Sequence, residues 1–157
     1  MRLLAVVLGG LTLAGCGFSP PAPPAVTTAV CTDADAPAPE TVQRAIAALP
    51  PAPWVETSRG HANDCRLQWV EVTQEQATAS TPGQVLFFDR NTPLGTPTPE
   101  PRPYITVVPS GPDGVTVQYQ WLVGDEPSCC PTGLGTVRFR IGSDGALAAL
   151  DPVPNQG

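Results

Sequence analysis

Residues 115–123, VTVQYQWLV, alternate with a period of two. Val115, Val117, Tyr119, Trp121 and Val123 fall on one side of an extended chain, and Thr116, Gln118 and Gln120 on the other. Such alternation marks a strand with one face in a core and one in water, because the apolar positions of a helix recur every three or four residues. TVRFRI (136–141) repeats the pattern, with Val137, Phe139 and Ile141 opposite Arg138 and Arg140. If the two strands pair, Arg138 and Arg140 face Gln118 and Gln120 and form a candidate polar or anion-binding surface. The plainer reading of these four residues is a solvated sheet face.

Further strands read outward from this pair: CRLQWVEV from Cys65, QVLFFD from Gln84, YITVV from Tyr104 and ALAAL from Ala146. All are rich in β-branched or apolar residues and bounded by Gly, Pro, Asn and Asp. PSGPDG (109–114) and GSDG (142–145) each carry an Asp-Gly pair and read as hairpin connections, so the last four strands form an antiparallel meander. Val85 to Phe88 is apolar without alternation, as in a central strand covered on both faces. PETVQRAIAALPP (39–51) places Val42, Ala45, Ile46 and Leu49 on one helical stripe that Pro50 and Pro51 end. A helix of about ten residues is too short to stand alone and must pack on the strands. The expected fold is α+β: one short amphipathic helix on a curved antiparallel sheet of five or six strands. It occupies residues 31–154, with a tail at 155–157.

The 157 residues suit one domain, and 41% hydrophobic residues with mean hydropathy +0.00 place the chain among soluble globular proteins. Eight basic residues, all arginine, stand against fourteen acidic ones for a net charge of −6. No basic cluster tracks a phosphate backbone, which argues against nucleic acid as a partner.

The N-terminus reads as an address. MRLLAVVLGGLTLAGC has a positive charge at Arg2 and an apolar run from Leu3 to Leu13. That run makes roughly 16 Å of helix, about half of a bilayer's hydrocarbon core, so it is a signal-peptide segment and not a membrane span. Leu13-Ala14-Gly15-Cys16 resembles the lipobox of bacterial lipoproteins, in which cleavage precedes a cysteine that carries diacylglycerol. Residues 1–15 are then the signal peptide and Cys16 the lipidation site. The plain alternative is a buried free cysteine after an apolar helix. Cleavage removes Arg2 from the eight arginines, so the mature chain is more acidic still and its membrane partner is met through lipid, not charge. The lipidated cysteine and a tether fill 16–30. GFSPPAPPAVTTAV, with four prolines in fourteen residues, reaches roughly 40 Å if extended. The address is the outer face of the cytoplasmic membrane.

With Cys16 acylated, Cys31, Cys65, Cys129 and Cys130 remain in an oxidising compartment, where an even number favours two disulfides. Adjacent Cα atoms about 3.8 Å apart lie below the separations usual for unstrained disulfides, so Cys129 and Cys130 are expected to bond Cys31 and Cys65, one each. A vicinal redox pair or a metal site are the competing readings; with no Cys-x-x-Cys and one histidine, a zinc set is incomplete, and no metal or cofactor is expected.

A hydrolase would have to use His61 as base, with Asp64 near it in RGHANDCRLQW (59–69). Gly-x-Ser-x-Gly and His-Glu-x-x-His are absent, and a chain without lysine can form neither Ser-x-x-Lys nor a Walker loop. Gly60, Asn63 and Asp64 suit a tight turn before a strand, and PTGLG (131–135) reads as a glycine turn only.

With these segments placed, Cys65 to Pro154 resembles the LppP/LprE-type lipoproteins of actinobacteria. The resemblance lies in CRLQWVEV, ATASTPGQVLFF running toward LGT, DGVTVQY and the closing LDPVP, behind a lipobox. It implies a cell-envelope lipoprotein and lends no catalytic residues. The expected function is non-catalytic: a binding or structural domain for an envelope protein, glycan or lipid. The alternatives are a hydrolase using His61 and Asp64, and a carrier of a lipid or other apolar ligand between helix and sheet.

Overall fold

The computed structural model describes residues 30–110 and 114–155; the expected signal peptide, Cys16 and the expected tether up to residue 29 lie outside the described residues, as do the tip of the PSGPDG connection and the last two residues. After a short 3-10 turn at Asp33–Asp35 comes helix α1, Pro39–Ala47. Eight strands follow: β1 Trp54–His61, β2 Leu67–Gln74, β3 Gly83–Asp89, β4 Thr92–Gly95, β5 Ile105–Val108, β6 Val115–Trp121, β7 Gly133–Ile141 and β8 Leu147–Ala149. They form two antiparallel four-stranded sheets, β1-β2-β3-β4 and β5-β6-β7-β8. The expected single sheet of five or six strands is thus corrected to two sheets, while the meander of the last four strands is the second sheet as read.

Three layers result. Val42 of α1, with Ala45, Ile46 and Leu49 beside it, packs on Val70, Val72, Leu86 and Phe88, one face of the first sheet. The opposite face presents Leu67, Val85 and Phe87 to Val115, Val117, Tyr119, Val137 and Phe139 of the second sheet, with Phe87 and Phe139 rings 5.3 Å apart. The unbroken apolar run of β3 therefore serves two cores at once, even residues toward the helix and odd residues toward the second sheet. A nine-residue helix cannot cover four strands, and the second sheet supplies the rest of the cover. Among the described residues no helix is long and apolar enough to cross a membrane.

Two strands had weak signals. β1, WVETSRGH, is an edge strand of largely polar residues, and β4, TPLG, carries Pro93 at the other edge, where no partner needs its missing N–H. PTGLG is more than a turn: Gly133 to Gly135 open β7. The sheets are tied at one edge by a Gly83–Arg102 backbone pair, N to O at 2.9 and 3.0 Å. Glu71 of β2 fastens them again: its carboxylate accepts the Thr106 hydroxyl at 2.8 Å, the Val107 amide and the Ser58 hydroxyl.

The cysteines pair otherwise than expected. Cys31 bonds Cys65, with Cα atoms 5.2 Å apart, and Cys129 bonds Cys130. Reach explains the correction. Cys65 lies in the β1–β2 turn, whose neighbours Ala62 and Leu67 share a hollow with Gly114 and Ile141 at the near end of β6 and β7. The doublet lies in the β6–β7 connection beyond Trp121, at the far end, and the seven residues of β6 at ~3.3 Å each put roughly 20 Å between the two.

Candidate functional site

At the far end of the second sheet a cleft of about 240 Å³ opens among Arg102, Tyr104, Tyr119, Gln120, Trp121 and Asn155. Trp121 is half-buried because its cross-strand partner is Gly133: a Cβ there would lie 2.5 Å from Trp121 Cε2. The same device recurs in the first sheet, where Trp69 lies over Gly60 and a Cβ would come within 2.6 Å of its ring. Glycine opposite tryptophan lets the ring lie against the backbone, which leaves an aromatic surface at the sheet end.

Tyr104 enters β5 with φ +56°, a left-handed conformation that costs a bulky side chain roughly 1–3 kcal/mol. Its hydroxyl donates to the Ser128 carbonyl in the doublet loop. The Arg102 guanidinium lies 5.9 Å over the Tyr119 ring and donates to the carbonyls of Pro154, at 3.0 Å, and Asn155. Arg102 thus straps the C-terminal segment across the cleft. Tyr119, 3% exposed, has no hydrogen-bond partner for its hydroxyl among the described residues. Burial pushes that hydroxyl up to about 12, against the opposing pull of Arg102. An unpartnered buried hydroxyl costs about 1–3 kcal/mol, an expense that stability alone does not explain.

The arginine patch is arranged differently from the expectation. Arg138 lies opposite Thr116, and Gln118 and Gln120 lie opposite Thr136 and Leu134, so the four residues do not face one another as pairs. Arg138 is engaged: its Nε and Nη2 each donate to Asp151 at 2.9 Å. The guanidinium and then the Arg138 amide hold the Asp151 carboxyl at about 2, and the pair raises Arg138 in turn. Arg140 is exposed and borders the hollow that contains Asp64 and Arg66. Gln120 alone of the four lines the Trp121 cleft.

His61 ends β1 and shares a hollow of about 330 Å³ with Ser110. Its Nδ1 is 3.0 Å from the Ala62 carbonyl and 3.2 Å from Cys31 Sγ, so Nδ1 holds the proton and donates it to the carbonyl. Asp64 is turned away onto its own turn, accepting the amides of Arg66 at 2.9 Å and Leu67 at 3.4 Å. Ser110 Oγ donates to the Val108 carbonyl at 3.1 Å and accepts the Thr116 amide at 2.6 Å. These contacts bring His61 and Asp64 into the work of holding the turn around Cys65. Among the described residues no group of three His, Cys, Asp or Glu side chains is placed to hold a metal. Between α1 and β3–β4 lies a further hollow of about 220 Å³ lined by Ala45, Leu49, Leu86 and Phe87.

Sequence reasoning missed Arg102, Tyr104 and Asn155 because they stand outside regular strands, where no periodicity marks them. The signal available was the glycine pair of PTGLG: Gly133 makes room for the Trp121 ring and Gly135 chiefly for Pro154 of the strapped C-terminal segment.

The profile of the LppP/LprE lipoprotein family matches residues 59–144. Proteins of Mycobacterium bovis and Mycobacterium tuberculosis that carry the name lipoprotein LppP are 54% identical over 151 residues, which cover 94% of this chain and 86% of theirs. The chain belongs to the LppP/LprE lipoprotein family. No solved structure matches it. The LppP/LprE match takes in β2 to β7, the sheets on which the cleft is built, and stops before the LDPVP segment that Arg102 straps down. Membership of LppP/LprE makes this an envelope lipoprotein and carries no reaction with it.

Proposed function

We propose that the chain is anchored by lipid on Cys16 to the outer face of the cytoplasmic membrane and is a non-catalytic binding module. Its ligand is a sugar unit of an envelope glycan, taken in the Trp121 cleft. The cleft carries the reading: flat rings of Tyr104 and Trp121 suit the C–H faces of a sugar, and the amides of Gln120 and Asn155 suit its hydroxyls. At about 240 Å³ it is smaller than a pocket for a whole lipid, and it is half-open, as the end of a chain requires. His61 Nδ1 is held by the Ala62 carbonyl, Asp64 Oδ1 by the amides of its own turn and Ser110 Oγ by Val108 and Thr116, so the imidazole is not oriented by Asp64 as a hydrolytic base would be, which favours binding over hydrolysis.

The test is titration of the lipidated protein in detergent with neutral hexose and N-acetylhexosamine oligomers, followed by tryptophan fluorescence. One series should saturate, and Gln120→Ala with Asn155→Ala should weaken it at least tenfold, while Arg140→Ala leaves it unchanged. Absence of any saturable response, or equal binding by the double variant, would refute the assignment.

A further inference from the structure

The Cys129–Cys130 bond joins residues adjacent in sequence, so it closes no segment of chain and removes almost none of the unfolded state's entropy. Its loop holds shape by other means. The Glu126 carboxylate accepts the Val123 and Thr132 amides at 2.8 and 3.0 Å and the Thr132 hydroxyl. The Cys130 amide donates to the Pro127 carbonyl at 3.0 Å, and the Tyr104 hydroxyl caps Ser128. Both cysteines are exposed, whereas Cys31 is partly buried and Cys65 only 6% exposed. A disulfide that incoming thiols can reach and that staples nothing is of the exchangeable kind.

We propose that Cys129–Cys130 is a thiol–disulfide exchange site whose partner is a dithiol of the envelope. A thiolate of the partner attacks one of the two sulfurs, the Cys129–Cys130 bond breaks, and the other cysteine leaves as a thiolate that takes up a proton. The partner's second thiol, itself losing a proton, then attacks its own sulfur in the mixed disulfide and releases the remaining cysteine. Two electrons and two protons reach the doublet, and the partner ends as a disulfide. A monothiol would leave a mixed disulfide that the neighbouring cysteine can reverse, which is why the partner is a dithiol. The exchange has a route to the cleft: Ser128 precedes the doublet and holds Tyr104, a cleft wall.

The experiment uses the lipidated protein in detergent, where acylation blocks Cys16, with dithiothreitol as the dithiol probe and iodoacetamide alkylation before peptide mass mapping. Cys129 and Cys130 should be alkylated together at a dithiothreitol concentration at least tenfold below that which opens Cys31–Cys65. Tryptophan emission should change over the lower range, and Cys129→Ser/Cys130→Ser should abolish that change. Opening of both bonds together, earlier opening of Cys31–Cys65, or doublet thiols free before reductant would overturn the proposal. So would failure of the double serine variant to fold, which would make the bond a staple.

Discussion

Replacing Cys31 and Cys65 by serine removes a bond that spans 34 residues and ties the segment ahead of α1 to the β1–β2 turn. For a loop of that length, chain entropy corresponds to about 3.8 kcal/mol at 25 °C. A domain of about 125 residues unfolds with roughly 0.26 kcal/mol/K, so Tm should fall by about 14 °C. The matched variant, Cys129→Ser/Cys130→Ser, opens no loop and should stay within about 2 °C of the parent. Calorimetry of both variants beside the parent, in the same detergent and without reductant, makes the comparison. The unaltered disulfide in each variant is its internal control. A fall of less than about 5 °C for the first variant, or equal falls for the two, would refute the assignment of one bond as staple and the other as none.

Gly133→Ala should destabilise by about 1–3 kcal/mol, because a Cβ would sit 2.5 Å from Trp121 Cε2, whereas Leu134→Ala, at an exposed neighbour, should change stability by no more than about 0.5 kcal/mol. Equal urea midpoints for the two would remove the ring from the glycine surface. Asp151, ordinarily at 3.8, is held at about 2 in the fold, so its pairing with Arg138 stabilises fully above about pH 4 and is lost as pH falls through about 2. Asp151→Asn should therefore flatten the fall of Tm across that window while a residual slope persists from Asp35, Asp89 and Glu126, whose carboxyls are also lowered. Superimposable pH profiles for parent and variant would exclude the pair as a contributor.

The second sheet was legible because its two central strands alternate, Val115 to Trp121 and Val137 to Ile141, and an Asp-Gly turn joins each to its edge strand. The helix stripe was legible for the same reason at the other period. What periodicity does not reveal is which buried faces meet. Alternation says that Val115, Val117 and Tyr119 are covered; it does not say that Phe87 and Leu67 cover them. β3 held the hint, since a strand apolar on both faces needs two covers and the chain has one short helix among its described residues. β1 and β4 escaped because edge strands are polar or proline-bearing by design against further pairing. The disulfides escaped because bond geometry at the doublet does not show which ends of the two sheets meet: the β1–β2 turn that holds Cys65 lies at the near end of β6 and the doublet follows its far end.

That separation also orders the molecule from anchor to cleft. If Cys16 carries the lipid, a pull on the tether reaches the domain at residue 30 and passes at once through Cys31 to Cys65. The load then enters the β1–β2 turn instead of peeling α1 from the first sheet, where its apolar stripe, the Ala38 amide on Asn91 and the Asp35–Arg90 ion pair hold it. His61 and Asp64 brace that turn: the imidazole holds Ala62 beside Cys31, and the carboxylate holds the amides of Arg66 and Leu67. The Trp121 cleft and the doublet sit at the other end of β6, roughly 20 Å away. An anchored domain taking its load at one end leaves the opposite end free to meet a ligand fixed in the envelope. The strained Tyr104, the unpartnered Tyr119 hydroxyl and the exchangeable disulfide all gather at that end, where the chain spends stability and no staple is placed.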